Sequence, residues 1–234
     1  MKRMLPFLTA LCLLATAVPA SRASAVLSAV FERAAETSKL PGEKLQLESG
    51  AAQPAGFPVT AQQWIQGFHI AAAAQELTLE NSFSHDSDMV TGQYWYDLTI
   101  AKTPAYVIGL LVLSEDDVAV SLCSMRMASA MLRPGELAEA DDALWRAARA
   151  MIAASEPQAK KEDIEELCAA LCPDLPAALT RREQVEAVHT LGSISCTLWA
   201  GFVEDAYYTG DSPNPSDGYI VDFVIRADAP EEPG

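Results

Sequence analysis

From Thr60 onward the hydrophobic positions follow two rhythms. Trp64, Ile65, Phe68, Ala71 and Ala72 recur at three- and four-residue spacings, which predicts an amphipathic helix running to about Leu77. Thr60 and Gln63 form a capping-box pattern at its start. The period then shortens to two. The stretch 90–100 carries Tyr94, Tyr96, Leu98 and Ile100 on one face, and Val118, Val120 and Leu122 alternate with Ala119, Cys123 and Met125. Between these two, the run from Ala105 to Leu113 is almost wholly apolar, which predicts a central strand covered on both sides. Thr103-Pro104 and the polar stretch 114–117 are turns, and connections this short predict an antiparallel meander.

The helical period returns after Pro134-Gly135. Leu137, Ala140, Leu144, Ala147, Ala148 and Met151 predict the longest helix, ended by Pro157. A second helix, 161–172, presents Ile164, Leu167, Cys168 and Leu171, and its first turn is acidic, as the positive end of the helix dipole favours. Residues 175–192 read two ways. Thr180 with Glu183 resembles a helix cap, whereas 184–191 alternates and then turns at Gly192-Ser193; the strand is the preferred reading. A long strand pattern follows from Ile194 to Tyr208, then a loop, then a last strand over 219–225. Strands grouped apart from helices indicate an α+β fold: an antiparallel sheet of five to six strands with helices mainly on one face, in the order α-βββ-αα-ββ(β). A single domain is expected over 58–228, with a loose tail at 229–234.

The N-terminus has a different character. Lys2 and Arg3 precede an apolar run from Leu5 to Val18, and two small-residue sites follow, one ending at Ala20 and a better one at Ala25. This is the pattern of a secretory signal peptide over 1–25, and the run falls short of the roughly 20 residues that span a bilayer. Residues 26–57 read as a short helix over 26–38, a strand-like stretch at Lys44–Glu48, and a segment rich in Gly, Ala and Pro. A periplasmic or secreted location is expected, with no transmembrane segment in the mature chain.

Composition narrows the partners. Half of the 234 residues are hydrophobic, enough for a packed core, and 16 Lys+Arg against 32 Asp+Glu give a net charge of −16. Loss of 1–25 removes Lys2, Arg3 and Arg22, leaving 13 − 32 = −19. Such a surface argues against nucleic acid and against anionic lipid headgroups, which both need clustered cations.

Candidate chemistry is sparse. With Cys12 lost alongside the leader, Cys123, Cys168, Cys172 and Cys196 remain, and in an exported protein an even number of cysteines suggests disulfides. The preferred pairing is 168 with 172, which share a helix face, and 123 with 196, both in strand patterns. Zinc is disfavoured because only one close cysteine pair exists with no histidine near it. Asp86-x-Asp88 begins like a calcium loop, but Val90 takes the next ligand position and Gly92 is out of place, and the Asp211–Gly218 loop, with Pro213 and Pro215 around Asn214, reads as a rigid strand connection. No nucleophile elbow, P-loop, dinucleotide fingerprint or zinc-protease motif is present, so no catalytic, cofactor-binding or metal residue is assigned. The one acid–base arrangement worth following is His85 with Asp86 or Asp88 in a polar stretch, which would suit a small hydrolase. Trp95 and Trp199 lie on strand faces opposite the strongest apolar rows. With Tyr207 they form an aromatic patch if those faces adjoin; otherwise helices cover that side.

The order of helix, three strands, helix and two strands from Thr60 onward resembles the type III secretion chaperone fold, an acidic family that binds extended partner segments. That resemblance implies a binding fold. The expectation is therefore an exported acidic protein without a catalytic centre that binds another protein or an envelope component, with the His85 hydrolase as the alternative.

Overall fold

The computed structural model describes residues 57–88, 93–115, 119–207 and 216–227. The expected leader, its cleavage sites and the segment up to residue 56 lie outside these residues, as do the loop 208–215 and the tail.

Thr60 starts the first helix as its capping box predicts. Its hydroxyl accepts from the Gln63 N–H, and the Gln63 side chain accepts from the Thr60 N–H at 2.9 Å. This helix, α1 (Ala61–Ala74), buries Ala61, Trp64, Phe68 and Ala72. Four strands follow: β1 (Ser84–Asp88), β2 (Gln93–Lys102), β3 (Tyr106–Glu115) and β4 (Ala119–Ala130). Three helices come next: α2 (Pro134–Ser155), α3 (Lys161–Leu171) and α4 (Leu175–Thr180). Strands β5 (Val185–Leu191), β6 (Ile194–Tyr207) and β7 (Ser216–Ala227) complete the order.

The α+β class and the antiparallel sheet are as expected, but the sheet has seven strands, not five to six, in the spatial order β1-β2-β3-β4-β7-β6-β5. All neighbours are antiparallel. The chain lays down one meander of four strands, crosses with its helices, and returns with a second meander of three that docks β7 against β4. The extra strand is β1, whose sequence Ser-His-Asp-Ser-Asp reads as a polar loop because an edge strand needs little apolar character. In the ambiguous stretch the strand reading holds, whereas no helix starts at Thr180: the short helix there ends at Thr180, whose hydroxyl donates to the Pro176 carbonyl. Asp174 caps the short α4 by accepting from the Ala177 N–H at 3.0 Å, and the preferred strand follows as β5.

The core lies between one sheet face and the helices. Leu98, Leu110, Met125, Phe223 and Leu198 form one cross-strand row of it, all at most 2 % exposed. α2 supplies Leu144, Ala147, Ala148 and Met151, packs along α1, and carries α3 and α4 beside it. Its last residue, Ser155, is fully buried, and its Oγ accepts from the Trp64 indole N–H at 2.8 Å, tying the two helices together.

The sheet register decides the cysteine question. Cys123 and Cys196 both face Ile225 of β7, which runs between them. Two strand spacings separate their Cα atoms by roughly 9–10 Å, beyond disulfide reach. The expected 123–196 bridge is therefore corrected: the two cysteines are not joined to each other, and both are buried in the core. Cys168 and Cys172 are free thiols.

Candidate functional site

Side chains alternate across each strand, so the sheet has a second face, opposite the helices. No described helix lies on it. Its central row runs Thr99, Gly109, Arg126, Asp222, Trp199 and Glu186 across strands β2 to β5. Arg126 and Asp222 meet as a bidentate pair, Nε to Oδ1 at 2.6 Å and Nη2 to Oδ2 at 2.7 Å. Their side chains retain only 18 % and 16 % of their exposure.

Around this pair the face is mostly apolar, with Ser124 and Thr197 set among the apolar side chains. Leu111 and Ala128 are buried, although they belong to this face and not to the helix-covered core. Leu113, Leu122, Val224 and Ile220 are partly exposed neighbours. The indole of Trp199 lies over Gly201, where an added Cβ would stand 3.2 Å from the ring. Gly109 has nothing above it, which leaves open space beside Arg126. Trp95 closes the far flank opposite Leu113, its buried indole N–H without an acceptor.

The two tryptophans do share the face opposite the core, but four strand spacings, about 19 Å, separate their strands. They flank the ion pair and do not form one patch; the Tyr207 side chain lies outside the described residues.

The histidine arrangement is not assembled. His85 projects from β1 toward the helix side and stacks on Tyr94 and Tyr96, with centroids 5.8 and 4.8 Å away. Asp86 points to the other face, and its carboxylate accepts from the Ser87 N–H at 2.8 Å. The Asp88 side chain lies outside the described residues. His69 sits exposed on α1 against Phe68 and Phe83, and His189 is exposed on the opposite sheet edge from His85.

Burial favours the protonated form at three of the thiols, Cys123, Cys168 and Cys172. Burial pushes Cys123 well up despite a hydrogen bond with Ser155 that favours the thiolate, pushes Cys168 up to about 12, and raises Cys172. A protonated thiol is a weak nucleophile and a poor metal ligand. Among the described residues, no three His, Cys, Asp or Glu side chains gather as a metal site, and no helix is long and apolar enough to cross a membrane.

A cleft of about 510 Å³ opens between the start of α1, the α2–α3 connection and the β5–β6 turn. Its one carboxylate, Glu156, is engaged: Oε2 accepts from the N–H and hydroxyl of Ser193, at 2.9 and 2.7 Å. Gly192 adopts φ +60° beneath it, where a Cβ would stand 2.7 Å from the same oxygen. The cleft wall is thus a brace for a tight hairpin turn.

The residues that sequence reasoning missed are Arg126 and Asp222. Each stands alone as a charge among apolar positions, and only the β4–β7 pairing joins them across 96 residues. The apolar run of β3 did carry a signal, since it called for cover on both faces. Comparisons with family models, curated proteins and solved structures found no match to this chain.

Proposed function

We propose that this chain is an exported binding or accessory protein that docks a protein partner through the helix-free face of its sheet. The observation that carries the reading is that face: partly exposed Leu113, Leu122, Ile220 and Val224 around a largely shielded ion pair, with no described helix over them. Clustered apolar side chains that keep part of their surface in water are the kind of patch that marks an interaction site. The leader pattern over 1–25, with cleavage near Ala25 or Ala20, directs the chain to the periplasm or medium. In that compartment Cys168 and Cys172, one helical turn apart, are the pair close enough to bridge once the helix end frays. N-terminal sequencing and the intact mass of the exported protein test the cleavage site and this single disulfide.

The docking reading is tested by photo-cross-linking in exporting cells. A cross-linker at Val224, in the outer face, is compared with one at Gln66, exposed on α1. Adducts specific to position 224 are expected. Equal yields at the two positions, or none at 224, would overturn the reading.

A further inference from the structure

The helices cover one face of β3, and on the other face Leu113, Leu122, Ile220 and Val224 stay partly exposed around the buried Leu111. Leu111 and Leu113 project away from the core into the face that holds Leu122 and Val224. We propose that a second copy of this chain covers that face with its own, the two-fold axis running along the strands between β4 and β7. The inference rests on the docking reading above and names the occupant.

Three properties of the face select a second copy. The first is the position of the ion pair. β4 and β7 are the fourth and fifth of seven strands, and Arg126–Asp222 is the third of five outward-facing pairs along them, from Leu122–Arg226 to Ala130–Gly218. The pair therefore sits at the centre of the face. A two-fold axis between the two strands lays Arg126 over Asp222 of the second copy, and Asp222 over Arg126 of the second copy. The two bidentate pairs then form an alternating square of four charges. Such a square sets register while leaving no charge unpaired.

The second property is charge. Across the sheet, the described outward side chains include three cations, Lys102, Arg126 and Arg226, and four carboxylates, Asp86, Asp97, Glu186 and Asp222, so 3 − 4 = −1, close to neutral. The whole chain carries −16. A basic partner would choose the acidic helical surface instead, and a like copy meets least repulsion at this face. The third property is area. Five strands about 4.8 Å apart, each about nine residues long at about 3.4 Å per residue, give roughly 700 Å² of flat sheet. Side-chain relief raises this toward the roughly 800 Å² per partner that a stable pair buries, with the two sheets about 10 Å apart.

Analytical ultracentrifugation of the full exported chain at micromolar concentration tests this, with Arg126→Asp and Asp222→Arg as probes. The wild type is expected to be a dimer. Each variant alone places like charges across the axis and is expected to weaken association by at least roughly a hundredfold. An equimolar mixture sets the acidic face against the basic one and is expected to restore the dimer. A monomeric wild type, or a dimer indifferent to both variants, would overturn the proposal. Circular dichroism checks folding. Should either charge variant unfold, Val224→Glu beside the centre provides the same reading, expected as a folded monomer. A monomeric wild type that still cross-links from position 224 to a different protein removes the second copy and keeps the docking reading; absence of any cross-link removes both.

Discussion

At the scale of single residues, two buried polar groups make opposite demands on the fold. Asp141 on α2 is half-buried, and burial pushes its carboxyl up to about 6. The Trp145 indole N–H, 3.0 Å from Oδ1, and Arg149 act against that rise, while Asp142 and Asp174 add to it. A carboxyl raised in the folded state holds its proton where the unfolded chain has lost it. Stability is therefore lost as pH rises from about 3.8 through 6, and the cost persists above. Asp141→Asn keeps an acceptor for Trp145 and removes the charge. It is expected to stabilise by about 1 kcal/mol at neutral pH, allowing for solvent screening, with the gain vanishing at acid pH. Denaturant titrations of both proteins at neutral and acid pH check this, and an equal gap at both would contradict it. Ser155 makes the opposite case. It satisfies the Trp64 indole in a site with no solvent, so Ser155→Ala strands a buried donor and is expected to cost about 1–3 kcal/mol in the same titrations.

At the scale of elements, helix ends show where the sequence works against itself. α1 ends with Glu76 at φ 55°, a left-handed position, where the Leu77 N–H reaches back to the Ala72 carbonyl and the Glu76 N–H to Ala73. Glu76 is exposed, so Glu76→Gly relieves strain without removing packing and is expected to add about 0.5–1 kcal/mol after the entropy of glycine is counted. Thermal unfolding checks it, and a lower melting temperature would count against the assigned cap. The same balance of local and long-range terms explains what the chain disclosed of itself. α1, α2, α3 and most of the longer strands announce themselves because one face of each is buried and burial imposes a period, while β3 announces itself as an unbroken apolar run. β1 has no such face to declare. α4 is six residues long, too short for a period, and only Asp174 and Pro176 signal it. The outward tryptophans were legible as outward, since alternation fixes the face. The Arg126–Asp222 pair was not, because two strands 96 residues apart become neighbours only through the order of the sheet.

At the scale of the molecule, the net charge sets a long-range repulsion that every local contact must overcome. With 16 more acidic than basic residues, the compact state crowds like charges that the unfolded chain spreads apart. The described ion pairs Arg146–Asp142, Arg149–Glu165 and Arg181–Glu183 are largely on the surface, worth little each, and too few to reverse that balance. Added salt has two opposed effects. It shortens the screening length toward about 10 Å at 0.1 M, which weakens repulsion across the whole surface, and it weakens exposed ion pairs. The Arg126–Asp222 pair is mostly shielded from solvent and is screened least. Repulsion is the larger and more exposed quantity, so raising sodium chloride from low to physiological levels is expected to raise the melting temperature by a few degrees. Two chains of like charge also approach more easily in salt, so association through the sheet face is expected to tighten over the same range. Melting curves and sedimentation across a chloride series check both. A melting temperature that falls with salt would mean that the surface pairs outweigh the excess of carboxylates.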